Sequence, residues 1–376
     1  MKSLKFCKII ILVFLASGLH AEQQSSLRIR DLGIHPGIFK PGSLNAITDV
    51  TGVRVGHQTI WSGDSVRTGV TAIIPHEGDL FKLKTPAAVY TANGFGKAAG
   101  FLQVQELGNI ETPIVLTNTL SVGRAVEAVV KWTLQQPGHE NIRSVNAIVG
   151  ETNDGYLNDI RGMHVTTEHV IAAIESAKNG AVQEGTVGAG TGTSAFGWKG
   201  GIGTSSRHLP DSLGGYTVGV LLQSNFGGVL TVDGFRVGEI LKQFDFSKEL
   251  QSSQGGSCMI VIATDAPVSS RNLQRMAKRA ALGLARTGSY MSNGSGDFII
   301  AFSTKNLIPA DSSPLLQIQE LPNDQMDPLF LSTVEAVEEA VYNSLVAAKT
   351  VKGYQGNVRE AIPIDRLKQI FKNAKE

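Results

Sequence analysis

Residues 243–267 read QFDFSKELQSSQGGSCMIVIATDAP. A polar linker ending in two glycines turns at Ser257 into SCMIVIAT, where Ile260, Val261 and Ile262 give the unbroken β-branched apolarity of a strand covered on both faces. Asp265, Ala266 and Pro267 stop it. Outward from this strand, β-like stretches at 87–90, 114–117 and 217–223 alternate with helical patterns at 126–135 and 167–176, so the chain reads as mixed α/β. In the second helix Thr166 or Thr167 can serve as cap, with Glu168 and Glu175 outward and Val170, Ile171 and Ile174 inward. Arg271, Arg275, Lys278 and Arg279 share a helical stretch with Leu273, Met276, Ala277 and Ala280, which predicts a solvated basic face, not a nucleic-acid reader. Near the C-terminus Ser332 and Glu335 have capping-box spacing, and Val334, Val337, Val341 and Leu345 follow along one face. The intervening PLLQIQELP, from Pro314, reads as a short strand or a connector.

The 376 residues are 18% charged and 42% hydrophobic, which excludes a disordered chain, and the 42 glycines show no three-residue period, which excludes collagen. Thirty-four basic against 33 acidic residues leave no net field to hold a polyanion, so broad nucleic-acid binding is disfavoured. Lys2, Lys5 and Lys8 precede an apolar run from Ile9 to Ala16, and Ala21 offers a cut before Glu22, so residues 1–21 read as a signal peptide. That run is short for a membrane span, and a soluble product without a stable membrane anchor is expected, periplasmic first and secreted second. Removing the segment leaves 31 basic and 33 acidic residues, with Cys258 as the single cysteine.

The sites of several common chemistries are missing from the sequence. No HExxH pair occurs, His164 and His169 are five apart, and one cysteine completes no metal site, so no metal or other cofactor is expected. The VGAGTG run at 187–192 lacks the context of a nucleotide loop, and Gly294-Ser295-Gly296 lacks that of a nucleophile elbow. Gly255-Gly256-Ser257 offers another source of serine activation. If the backbone is cut before Ser257, the new α-amine, with an ordinary pKa of about 7.7–8.0, lies beside the hydroxyl that it can deprotonate. Ser257 Oγ could make that cut by attacking the preceding carbonyl, an N-to-O acyl shift followed by ester hydrolysis. From the residues alone GGS reads as an ordinary linker end.

Six blocks together make a specific pattern over most of the chain: LNAITDVTGVRVGH from Leu44, VGETNDGYLNDI from Val149, GTGTSAFGWKGGIGTSSR from Gly190, GVLLQSNFGG from Gly219, SCMIVIATDAP from Ser257 and GSGDFIIAFST from Gly294. In these blocks the chain resembles the L-aminopeptidase/D-amino-acid esterase-amidase and β-peptidyl aminopeptidase family. The resemblance implies a four-layer α-β-β-α fold, like N-terminal-nucleophile hydrolases in chemistry but different in strand connectivity. It implies a single catalytic domain over 22–376, cut between Gly256 and Ser257 into an α chain, 22–256, and a β chain, 257–376, that assembles as a homo-oligomer, often a tetramer of the cut pair. It further implies that Ser257 is the nucleophile, Asn225 an oxyanion donor, and Ser295 with Asp297 the groups that orient the serine and its amine. Some relatives carry Glu at the Asp297 position. Glu151 matches the carboxylate that receives the substrate's free amino group, and Asn118 and Asn93 would line the pocket. Where some relatives have a tyrosine this chain has Asn153, leaving Tyr156 as a weak substitute. Cys258 follows the nucleophile, and strand alternation turns it away. The expected activity is removal of amino-terminal residues from small peptides, amides or esters, D- or β-amino acids included. An inactive ligand-binding relative and an aminoacyl transferase stand as alternatives.

Overall fold

The strand that opens at Ser257 is the centre of the molecule. The computed structural model describes residues 27–246, 256–310 and 315–373. The export segment 1–21, linker residues 247–255 and Pro314 lie outside the described residues. In chain order the strands are β1 (Arg54–Ser62), β2 (Val66–Ile74), β3 (Leu83–Gly94), β4 (Asn109–Ile110), β5 (Ile114–Asn118), β6 (Ile148–Thr152), β7 (Ser194–Ala195), β8 (Trp198–Lys199), β9 (Ile202–His208), β10 (Thr217–Asn225), β11 (Ser257–Thr264), β12 (Gly296–Ser303), β13 (Ile308–Pro309), β14 (Val351–Lys352) and β15 (Val358–Arg359). The helices are α1 (Phe101–Leu107), α2 (Val122–Leu134), α3 (Thr167–Glu175), α4 (Val237–Ile240), α5 (Ser270–Arg286), α6 (Asp327–Val346) and α7 (Ile364–Asn373).

Two sheets carry the architecture. One runs β1-β2-β5-β6, and the larger runs β13-β3-β12-β11-β10-β9 with β4 on β3. Each contains one parallel pair, β5 with β6 and β11 with β12, bridged by α2 and α5 respectively. A parallel pair needs such a crossover, and each helix returns over its own sheet. Three apolar clusters mark the layer boundaries. One joins α5 and α6 to the large sheet, the second fills the space between the sheets, and the third joins α2 and α3 to the small sheet. The order is therefore α-β-β-α, as the resemblance implies.

All eight residues of β11 are buried, and alternation divides them between two clusters. Cys258, Ile260 and Ile262 face α5 and α6, whereas Met259, Val261 and Ala263 face the small sheet. Both faces of this strand are dry, which is why SCMIVIAT shows no polar alternation. At about 1.5–3 kcal/mol for each large aliphatic side chain buried, an aspartate at Val261 would break the middle layer.

Local readings hold in outline. Helix α3 starts behind Thr166, whose hydroxyl accepts from the His169 N–H, and it buries Val170 and Ile174 with Ile171 half-buried. Helix α5 buries Leu273, Met276, Ala277 and Ala280 as predicted. Its basic face is less free than expected, because Arg279 and Arg275 stack over Phe330 of α6 at 3.9 and 4.8 Å. The capping-box reading of Ser332 and Glu335 is corrected: Pro328 sits in the first turn, α6 begins at Asp327, and both residues lie inside it. Glu335 spends its carboxylate instead on the Ile38 and Phe39 N–H groups and on Arg207. Residues 315–322 form no strand and act as a connector.

Candidate active site

Ser257 is the first residue of β11, and its two neighbours in the sheet are also end residues. Asn225, the last residue of β10, lies opposite it, and Gly296, the first of β12, lies beside it in parallel register. Ser257 is 5% exposed. The Gly296 N–H donates to the Gly256 carbonyl at 3.1 Å and lies 3.3 Å from Ser257 Oγ. Gly256 is packed against the backbone of the neighbouring strand end. A Cβ there would come within 2.5 Å of the Phe226 Cα and 2.8 Å of the Asn225 carbonyl oxygen, so a side chain at this position would displace the serine.

The side-chain amide of Asn225 is held at both ends. Its Oδ1 accepts from the Ser194 N–H at 3.0 Å, and its Nδ2 donates to the Asn153 carbonyl at 3.0 Å, which leaves one N–H of the NH₂ group over. Arg359 braces this corner, donating to Ser194 Oγ at 3.1 Å and stacking over the Tyr156 ring at 3.7 Å. Tyr156 is thus engaged with Arg359, and Asn153 meets the site through its backbone.

Ser295 and Asp297 flank Gly296 and are both buried. Asp297 stands in register with Cys258, on the sheet face that Ser257 does not use. Among the described residues, neither oxygen of its carboxyl nor the Ser295 hydroxyl has a hydrogen-bond partner. Burial pushes the Asp297 carboxyl up to about 6, and the Ser295 hydroxyl, near but outside hydrogen-bond geometry, offsets this only in part. Cys258 is a buried free thiol, pushed up by burial and then by the Asp297 charge, the wrong direction for a nucleophile.

Glu151 reaches the site from the other sheet, near the end of β6. Its carboxylate accepts from the Lys97 N–H at 3.0 Å and from the Thr119 hydroxyl. Burial raises its pKa, and those two donors with the Lys97 charge offset only part of the rise. Among the described residues no ion pair reaches it. Gly96 links the two sheets here. A Cβ on Gly96 would lie 2.9 Å from Glu151 Oε1, while a Cβ on Gly296 would lie 3.2 Å from the Gly96 Cα. One glycine thus separates the buried carboxylate from the residue beside the serine.

The two asparagines expected to line the pocket do something more local. Asn93 donates to the Ser292 carbonyl at 3.2 Å and to that of Ser295, holding the turn that delivers Ser295. Asn118 caps the turn before α2 by accepting from the Ser121 N–H at 3.0 Å, and donates to Thr68 Oγ1 at 2.8 Å. Sequence reasoning passed over Lys199, although it lies in the quoted GTGTSAFGWKGG block. It is fully buried, donating to the Gly190 and Gly200 carbonyls at 2.8 and 2.7 Å, and burial drives its amine down to about 7. Asp154, next to Asn153, is pushed up to about 6 by the same cause. A lone lysine amid glycines was the available signal, because such a segment is buried and a lysine within it must find carbonyls.

A buried serine at a strand start, an amide opposite it in the sheet, and the buried Glu151 carboxylate one glycine removed from Gly296 make up this end of the two sheets. The sequence model of peptidase family S58 matches residues 45–359. A β-peptidyl aminopeptidase BapA from Sphingosinicella microcystinivorans is 41% identical, with 99% of this chain and 98% of that protein aligned. Its namesake from Sphingosinicella xenopeptidilytica is also 41% identical, over 92% and 91%. Among solved structures, a Burkholderia sp. β-aminopeptidase superposes with a TM-score of 0.85 at 40% identity, over 92% of this chain and 99% of that one. The L-aminopeptidase D-Ala-esterase/amidase of Ochrobactrum anthropi, described as a new variant among the Ntn hydrolase fold, gives 0.86 at 36%, over 93% and 99%. The fold and its relatives make this a hydrolase of the serine aminopeptidase class. The chain belongs to peptidase family S58.

Proposed function

We propose that the chain matures by cutting its own Gly256–Ser257 bond and then works as an aminopeptidase through the new N-terminal serine. The observation that carries this is the set of buried, unpartnered groups on Ser295 and Asp297, one residue either side of the glycine that pairs with Ser257. An unpaired buried carboxyl is costly, and a new α-ammonium at residue 257 is the cation that would repay it. In its neutral form that amine takes the Oγ proton as Ser257 attacks a substrate carbonyl, then returns it to the leaving amine. In this reading the N–H that Asn225 has left over meets the charge that develops on the carbonyl oxygen, a contribution of about 3–4 kcal/mol for one such donor. Glu151 receives the substrate ammonium, so the enzyme acts at amino termini. The names of the relatives favour short β-amino acids or small L- or D-residues at that terminus. Export through residues 1–21 to the periplasm and assembly of the cut pairs into tetramers complete the reading.

Intact mass and amino-terminal sequencing are expected to give two pieces, one beginning Ser-Cys-Met-Ile. β-Alanyl, L-alanyl and D-alanyl p-nitroanilides should be hydrolysed by the cut protein and not by Ser257→Ala. Full activity in a chain that stays uncut, or in the Ser257→Ala protein, overturns the proposal.

A further inference from the structure

Self-cleavage and substrate cleavage use the same Ser257 oxygen but different carbonyls, and in the uncut chain the two candidate donors stand on opposite flanks of β11. Asn225 belongs to β10 on one side and Gly296 to β12 on the other. The carbonyl that self-cleavage must attack is that of Gly256, and it is turned toward β12, accepting from the Gly296 N–H at 3.1 Å. The same N–H lies 3.3 Å from Ser257 Oγ, so it stands between the attacking oxygen and the oxygen that must take up charge. The Asn225 amide, with one N–H on the Asn153 carbonyl and Oδ1 on the Ser194 N–H, stands at the end of β10, across β11 from the strand to which the Gly256 carbonyl is turned.

We propose that the Gly296 backbone N–H is the oxyanion donor of the self-cleavage step, a second oxyanion position distinct from that of Asn225. The proposal rests on the self-processing reading above. In the step, Ser257 Oγ bonds to the Gly256 carbonyl carbon and that carbonyl oxygen becomes the oxyanion, held by the Gly296 N–H. The bond from that carbon to the Ser257 nitrogen then breaks, and the Oγ proton passes to the departing nitrogen. Water hydrolyses the resulting ester, leaving a carboxylate on Gly256 and restoring the Ser257 hydroxyl. A donor fixed by strand pairing needs no rearrangement as charge develops, which is where such a group is most effective. Once Gly256 has left, this N–H keeps only its contact with Ser257 Oγ, so the donor that makes the enzyme becomes one that positions the nucleophile.

The test replaces residue 296 by glycolate in the full chain, turning the one N–H into an ester oxygen. Cleavage of freshly refolded protein is followed by mass spectrometry, with the fold checked by circular dichroism. The ester-bearing chain is expected to cut about 100-fold more slowly than the natural chain, the usual loss for one oxyanion donor. Equal rates in the two chains overturn this inference while leaving self-processing intact. A natural chain that never cuts sinks the self-processing reading, and this inference with it. A crystal structure of the Ser257→Ala precursor decides the matter even if the ester-bearing chain does not fold. The Gly256 carbonyl is expected on the Gly296 N–H, and a carbonyl turned to Asn225 Nδ2 overturns the proposal.

Discussion

The two ends of β10 treat buried charge in opposite ways. At its start, where Val218 pairs with Arg207, a fully buried guanidinium meets Glu335 at 3.1 Å and Glu339 at 2.9 Å. Glu339 also accepts from Arg30 at 2.6 Å and Asn45 at 2.5 Å, and although burial alone would raise its pKa, these partners bring it below the ordinary value. At its other end, where Asn225 pairs with Ser257, Asp297 and Glu151 are buried with no cation in ion-pair reach among the described residues, and both are pushed up by burial. Carboxylates paired within the fold hold layers together. The carboxylates left without a cation fit the proposed function, in which the substrate ammonium meets Glu151 and the new amino terminus meets Asp297.

The contrast breaks most visibly at Glu339. Glu339→Ala leaves Arg207 and Arg30 short of their shared carboxylate and is expected to cost about 3–5 kcal/mol in urea unfolding, with kcat/KM of the folded fraction unchanged. A stable variant would mean that the paired end is not structural. Glu151→Gln keeps the shape and removes the charge. Its kcat/KM on aminoacyl p-nitroanilides should fall by the equivalent of about 2–4 kcal/mol, mainly through KM, while the melting temperature holds. A KM that does not move would remove Glu151 from ammonium recognition.

Asp297 adds a pH signature. Its carboxyl titrates at about 6 in the folded uncut chain against an ordinary 3.8, so the folded state holds the proton more tightly and loses stability as the pH rises from about 4 to about 6. In the Ser257→Ala background, Asp297→Asn should therefore stabilise the uncut chain by about 1–3 kcal/mol at pH 8, with the difference vanishing below pH 4. A difference that grows toward low pH would reverse the assignment. The smallest effect belongs to Thr119, whose hydroxyl favours the Glu151 carboxylate. In Thr119→Val the Glu151 pKa rises further, and the acid limb of kcat/KM should move up by less than about one pH unit.

Strand β11 could be read from sequence to the residue because a strand dry on both faces shows in composition alone. Helices α3 and α5 could be read from their apolar spacing. The start of α6 could not, since Ser332 and Glu335 mimic a cap while the partners of the Glu335 carboxylate lie about 130 to 300 residues away in sequence. The site divides the same way. Ser257, Asn225, Ser295 and Asp297 converge through register between neighbouring strands, and the family pattern named them. That Asn93 holds the turn before Ser295 depends on a contact about 200 residues away in sequence, whereas Asn118 on Ser121 and Lys199 on the Gly190 and Gly200 carbonyls are short-range contacts set by turns whose shape residue spacing does not record.

The strand order of the large sheet also decides how a cut chain would come apart. β3, β9 and β10 precede Gly256, whereas β11, β12 and β13 follow it, and β12 with β11 is wedged between β3 and β10. Helix α6, from beyond the cut, lies over β9 and β10 from before it. The fragments would thus be interleaved like the fingers of two hands, and freeing either would mean unzipping the central sheet along three seams, β13–β3, β3–β12 and β11–β10. Scission would change the chemistry at one strand end and leave a single cooperative body that melts once.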